Sequence, residues 1–221
     1  MIYIYKEMDQ FTKKDYNANQ ILLSAERRIE SEHFAFYENK KQSMLAYLLL
    51  RYALFRECGS YSEPKISKAD SGKPYLSDQE GVYINLSHCN AGVMCGVSKY
   101  EIGVDIQEYV HYEENDFRSV LTQKERTVID SRSSDAEFTK IWTLKESYGK
   151  YTGEGITYSL DRMDFSGIDA KWSRRYGHLF SAECCEKTAD AACTEEELKR
   201  INVSYDELME ILNILRHFNN C

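Results

Sequence analysis

An aspartate stands inside a run of branched apolar residues, Gly103-Val104-Asp105-Ile106, and an amide follows two positions later, Gln107. A carboxylate among Ile and Val is costly to bury unpaired, so Asp105 either faces water or meets a cation. In a strand, Asp105 and Gln107 share one face about 7 Å apart and can lean toward one ion. A second group lies in Phe138–Gly155. At about 100° per residue on a helix, Glu146 falls about 40° from Trp142 and Lys145 about 60° on the other side, so both charges enter the stripe set by Phe138 and Trp142. A solvated i,i+4 pair between Glu146 and Lys150 would explain their spacing. The chemical reading is that Glu146 completes an oxygen site with Asp105 while Lys150 neutralises a bound phosphate. Two carboxylates with water and phosphate oxygens suit Mg²⁺, whereas zinc selects His and Cys.

Anion-capable groups are scattered upstream: Arg27, Arg28, Lys68, the turn Gly72-Lys73-Pro74, and Asn85-Leu86-Ser87-His88. Glycine lets a phosphate approach the backbone and Lys73 offers a point charge. Ser87 and His88 add donors at a strand end. Singly, each of these has an ordinary structural explanation.

The elements that must position these groups are legible in outline. Residues 40–57 are strong helix formers with a wide apolar face, ending at Gly59. Val82, Ile84 and Leu86 alternate with polar neighbours, and Val93, Cys95 and Val97 follow the turn Asn90-Ala91-Gly92, which predicts a hairpin. Ile102, Val104 and Ile106 predict a third strand with Asp105 and Gln107 on its other face. Capping-box patterns at Thr122–Glu125, Ser134–Glu137, Thr194–Glu197 and Ser204–Glu207 predict four helix starts. Strands are expected near 162–172 and 176–184.

The chain has 221 residues and a net charge of −8, which argues against a general nucleic-acid binder because phosphate contact needs clustered Lys and Arg. Residues 1–100 carry 13 basic and 12 acidic side chains and 101–221 carry 15 and 24, so anion contacts are expected in the first half and cation contacts in the second. Seven cysteines without a CxxC pair argue for reduced thiols rather than a disulfide framework or a zinc ribbon. No run of residues has the length and apolarity of a membrane span, and the first residues lack a secretory pattern, so a soluble, cytoplasmic protein is expected.

Together these residues resemble the 4′-phosphopantetheinyl transferase superfamily, in its larger, single-chain, surfactin-synthetase-activating class. Trp142–Gly155 meets the pattern W-[ST]-x-K-E-[SA]-x-x-K-x-x-G-x-G in full. Gly103-Val104-Asp105-Ile106, Asn85-Leu86-Ser87-His88 and Gly72-Lys73-Pro74 match its G-[IV]-D-[IV], N-[IVL]-S-H and G-K-P motifs in order. The resemblance implies an α+β fold of two similar halves related by a pseudo-twofold, each a small antiparallel sheet packed with helices: residues 1–100, contacting the nucleotide of coenzyme A, and residues 101–221, bearing the metal-binding carboxylates. It implies transfer of the phosphopantetheine arm of coenzyme A to a serine of an acyl, peptidyl or aryl carrier protein, releasing adenosine 3′,5′-bisphosphate.

By the same resemblance, Asp105 and Glu146, with Gln107, would ligate Mg²⁺ and Lys150 would contact the pyrophosphate. Asn85, Ser87 and His88 would meet coenzyme A phosphates, and Arg28, Lys68, Gly72, Lys73 and Pro74 would hold the nucleotide end. The catalytic set would be Asp105, Glu146, Lys150 and His88, with Glu146 or a metal-bound water taking the serine proton. Many relatives have a carboxylate where Gln107 stands, so weaker metal affinity is expected. Lys68 stands where Arg is frequent, and Cys89 reads as a small buried hydrophobe. Glu125 is divided between a capping residue and an acidic site position. The implied partners are coenzyme A and an apo carrier protein, with no nucleic acid or membrane, and a monomer is expected. The rival readings are a Mg²⁺-dependent nucleotide pyrophosphohydrolase and a non-catalytic module binding a carrier protein or coenzyme A.

Overall fold

The run expected as a helix over 40–57 forms a helix over Tyr37–Cys58 and stops at Gly59, whose φ of +64° closes the C-terminus in the left-handed region. A computed structural model describes residues 1–113, 117–130, 134–155, 162–167, 173–185 and 199–219. Its helices are α1 (Lys13–Asn19), α2 (Ala25–Glu32), α3 (Tyr37–Cys58), α4 (Gln123–Asp130), α5 (Ser134–Thr152) and α6 (Tyr205–Asn219). Its strands are β1 (Ile2–Tyr5), β2 (Ile66–Lys68), β3 (Pro74–Leu76), β4 (Tyr83–Cys89), β5 (Gly92–Ser98), β6 (Ile102–Glu108), β7 (Ser173–Tyr176), β8 (Leu179–Cys185) and β9 (Arg200–Val203). The fold is mixed α+β.

One sheet has the order β4-β5-β1-β9, with β9 parallel to β1; a second has the antiparallel order β6-β8-β7, and β2 pairs β3 separately. The expected hairpin is β4–β5, in register from Tyr83↔Ser98 to Cys89↔Gly92. Every residue of β1 is buried because its alternate side chains serve two cores. Tyr3 and Tyr5 pack with α3 and α6, while Ile2 and Ile4 meet Ile102, Val104 and Ile106 of β6 between the sheets. A third core joins Phe138, Ile141 and Leu144 of α5 to Ile129 and Ala182. The molecule is therefore layered: α3 and α6, the first sheet, the second sheet, then α4 and α5.

Four strands, β1, β2, β3 and β9, are absent from the sequence reading. In β1 the run is apolar without alternation, a pattern that periodicity alone does not assign. In β9 only four residues pair, and they do so with β1, nearly two hundred positions away. Residues 200–219, grouped by chain order with the second half, thus complete the sheet and core of the first. The Thr122–Glu125 and Ser204–Glu207 capping boxes both form. The helix expected from Thr194 lies outside the described residues. Of the strand expected near 162–172, the described part, 162–167, contains no strand, and β7 begins at Ser173.

Glu183 of β8 joins the layers, accepting from Arg200 of β9 at 2.9 and 2.5 Å. Burial, the largest effect, pushes its carboxyl from 4.5 up to about 7, against the pull of Arg200. The folded chain therefore holds this proton more tightly than the unfolded chain. Its contribution to stability is complete below about 4.5 and is lost as pH rises through about 7. Wild-type Tm, measured against Glu183→Gln, should fall across that window and level off above it. A difference that stays flat would mean the carboxylate is ionised throughout.

Candidate active site

Alternation along β6 sends Val104 and Ile106 between the sheets and Asp105 to the opposite side, toward α5. The strand lies hard against that helix at Gly103, where a Cβ would stand 2.0 Å from the Ser147 carbonyl oxygen and 2.3 Å from the Tyr151 nitrogen. Both are backbone atoms and neither can swing aside. Gly103→Ala should therefore push α5 off β6, at a cost of about 3 kcal/mol or more. Thermal melts check this, and a variant within about 1 kcal/mol of wild type would mean the helix has slack to move.

The far edge of β6 is held by side chains. Val104 N–H donates to Asn85 Oδ1 at 3.0 Å and Ile106 N–H to Ser87 Oγ at 3.3 Å. Two residues of the N-L-S-H motif thus satisfy backbone donors of the strand carrying Asp105, which bridges the two sheets. Both are buried. This role is invisible in the sequence, where they read only as phosphate donors.

At the centre, Lys150 Nζ donates to Asp105 Oδ1 at 2.6 Å and to Ser87 Oγ at 2.9 Å, and Ser87 Oγ donates to the same Asp105 oxygen at 2.7 Å. The Lys150 side chain keeps 29% of its exposure and Asp105 keeps 1%. The i,i+4 alternative therefore gives way: the lysine's ion pair is with the strand aspartate. Asp105 Oδ2 is buried with no hydrogen-bond partner. Burial first, then the Asp105 charge, raises the Glu146 carboxyl above the usual carboxylate range, with Lys150 opposing. The two carboxylates, 41 positions apart in the chain, thus lie within electrostatic reach. Gln107 is half-buried two residues along the same face.

This donor set suits a hard cation. An unpartnered buried carboxylate oxygen, a second carboxylate and a neighbouring amide supply oxygen and neither thiolate nor imidazole. Among the described residues, no three His, Cys, Asp or Glu side chains gather into a ready-made metal cage, so water and substrate oxygens would have to complete the coordination.

His88 adjoins this cluster. Its Nδ1 lies 3.2 Å from Gln42 Oε1, and burial, Lys150 and Arg27 lower its proton affinity while Asp105 raises it. Lys73 lies where the first half meets the end of α5: its Nζ donates to the Tyr151 carbonyl at 2.6 Å and pairs with Glu101. Around it a cleft of ≈ 230 Å³ is lined by Gly72, Lys73, Pro74, Asn85, Lys150 and Gly153, among others. A second cleft of ≈ 670 Å³ runs past Lys73 toward Tyr75, Tyr83 and Tyr151. Gly153 takes φ +78°, and a Cβ there would meet Ser71 Oγ at 2.9 Å, so this glycine lets the end of α5 lie against the Gly-Lys-Pro turn. Arg28 and Lys68 line neither cleft; Lys68 is 70% exposed and lies 3.7 Å from Glu30.

The two adjacent charges of the signature separate completely. Lys145 is fully buried 3.0 Å from Glu125, which also accepts from Thr122 N–H and Phe165 N–H. The division over Glu125 is thereby resolved: it is a cap and an ion-pair partner, remote from Asp105 in its contacts. Cys89 is half-buried, and burial pushes its thiol up to about 11, which keeps it an inert neutral group.

Comparison with known proteins bears on this cluster. Residues 101–205, which contain Asp105, Gln107, Glu146 and Lys150, match the family model of the 4′-phosphopantetheinyl transferase superfamily. That match covers just under half of the chain. It is 25% identical over 162 residues to 4′-phosphopantetheinyl transferase psf-1 of Bacillus pumilus, covering 69% of this chain and 67% of the relative. It is 25% identical over 143 residues to 4′-phosphopantetheinyl transferase Sfp of Bacillus subtilis strain 168, covering 63% and 64%. With 4′-phosphopantetheinyl transferase gsp of Aneurinibacillus migulanus the identity is 26% over 149 residues, covering 64% and 62%. The chain thus spans about two thirds of the length of these superfamily members. Among the described residues, no helix is long and apolar enough to cross a membrane.

Proposed function

We propose that this chain transfers the phosphopantetheine arm of coenzyme A to a carrier-protein serine. The observation that supports this reading is the junction of Asp105, Ser87 and Lys150 with Glu146 in electrostatic reach, beside the cleft that Lys73 borders. In the reaction, the serine oxygen attacks the phosphorus bearing the pantetheine arm and loses its proton. The bond from that phosphorus to the bridging oxygen breaks, and adenosine 3′,5′-bisphosphate leaves. Such transfers are governed by positioning and by neutralising phosphoryl charge.

Asp105 and Glu146, with Gln107, would hold Mg²⁺, whose contribution is to neutralise charge on the diphosphate oxygens. Lys150 supplies a further positive charge on the same side, held in place by Asp105 and Ser87. Lys73, Gly72 and Pro74 border the space where the nucleotide end would lie, and Asn85 and His88 flank the diphosphate. Arg28 and Lys68, exposed and outside the clefts, would add long-range attraction. A monomer acting in the cytoplasm completes the proposal, with an acyl or peptidyl carrier protein as acceptor. Its own acidic charge means that docking must rest on local patches.

The deciding experiment incubates the purified chain with Mg²⁺, coenzyme A and an apo carrier protein, and reads the carrier by intact mass spectrometry. A mass increase of one phosphopantetheine arm on the serine is expected; hydrolysis of coenzyme A with an unmodified carrier would instead support the hydrolase reading. Because Gln107 places an amide where a charge would strengthen ligation, Gln107→Glu should tighten Mg²⁺ binding about tenfold. Calorimetric titration checks this, and unchanged affinity would remove Gln107 from the ligand set.

A further inference from the structure

Gln42, in the first turns of α3, is 7% exposed and bonded at both ends of its amide. Its Nε2 donates to Asn90 Oδ1 at 2.7 Å, and its Oε1 lies 3.2 Å from His88 Nδ1. The bond to Asn90 turns the amide so that oxygen faces the imidazole. An amide oxygen only accepts, so the ring nitrogen opposite it must carry hydrogen. We propose that Gln42 is a positioning residue that fixes neutral His88 as its Nδ1–H tautomer, leaving Nε2 as the nitrogen that takes up a proton.

The consequence for substrate rests on the transferase reading. With Nδ1–H committed to Gln42, any proton gained by His88 appears on Nε2 and forms a new donor there, available to an anionic phosphoryl group. His88 is exposed at the end of β4, and the charges around it come from three elements: Lys150 of α5 and Arg27 of α2 oppose protonation, while Asp105 of β6 favours it. An added phosphate dianion would tip this balance toward the imidazolium. Gln42 would then select which nitrogen meets the phosphate.

The test is ¹⁵N NMR of the full chain without metal or coenzyme A, at about pH 8, where a histidine of ordinary proton affinity is neutral. Long-range correlations distinguish protonated from bare ring nitrogens. The chain has only five histidines, so His88 is assigned by the signal missing from His88→Gln. The wild type should show Nδ1 protonated. Gln42→Leu should move the proton to Nε2 in most molecules, and Gln42→Glu, which still accepts, should keep it on Nδ1. A wild type protonated at Nε2, or a folded Gln42→Leu that stays protonated at Nδ1, would overturn the assignment. Should Gln42→Leu fail to fold, Gln42→Met, which keeps the length but offers no amide oxygen, decides: a folded variant still protonated at Nδ1 refutes the proposal. In the transfer assay, Gln42→Leu should raise KM for coenzyme A about tenfold with kcat within about threefold. A shifted tautomer with unchanged KM would overturn the substrate consequence. Absence of transfer by the wild type would overturn the transferase reading and leave the tautomer standing.

Discussion

Asp105→Ala should lower phosphopantetheine transfer at least about a thousandfold while moving Tm by only a few degrees. One oxygen of this carboxylate holds Lys150 and Ser87, and the other is buried without a partner. With Glu146 it would also hold the cation that neutralises the diphosphate. Charge stabilisation of that kind contributes several kcal/mol to the transition state, and each 1.36 kcal/mol is tenfold in rate. The fold should tolerate the loss because Lys150, still 29% exposed, can turn its ammonium to water. The remaining carboxyl should respond as well: without the Asp105 charge, Glu146 loses one of the two influences that raise it. Mass spectrometry of the carrier and thermal melts of the variant separate the two effects. Transfer above about a tenth of wild type would sink the metal assignment.

The adjacent lysine should behave in the opposite way. Lys145→Met is expected to cost about 3–5 kcal/mol, because it leaves a charged Glu125 with 0% side-chain exposure and no cation. For a chain of this size that is a Tm loss of about 10 °C. Glu125→Gln should be costly too, since it strands the Lys145 ammonium beside the Met163 carbonyl and the Phe165 ring. It retains an acceptor for Phe165 N–H, which Glu125→Leu would not. The double variant Lys145→Met/Glu125→Gln should lose less than the sum of the two singles, as coupled partners do. At temperatures where these variants remain folded, turnover per molecule should stay within a few-fold of wild type. Single variants costing under about 1 kcal/mol would mean that water reaches the pair.

What the sequence by itself determined is local. The α3 helix and its Gly59 stop, the β4–β5 hairpin and two capping boxes form where spacing places them, since each depends on residues within a few positions of one another. The candidate site residues could also be named, from charges placed on an apolar strand and helix face and from the resemblance their motifs carry. Tertiary structure decided which of them meet. Lys150 pairs with Asp105, 45 positions away, instead of Glu146 four positions away, and Lys145 pairs with Glu125 rather than joining its neighbour in the cluster. Asn85 and Ser87 bond the backbone of β6, and Gln42, an ordinary helix former in sequence, bonds His88. Strands β1 and β9 likewise exist only through each other and β5. The physical reason is common to all: periodicity and caps report the faces of an element, whereas the partner on each face is set by how the sheets stack and how closely α5 lies on Gly103.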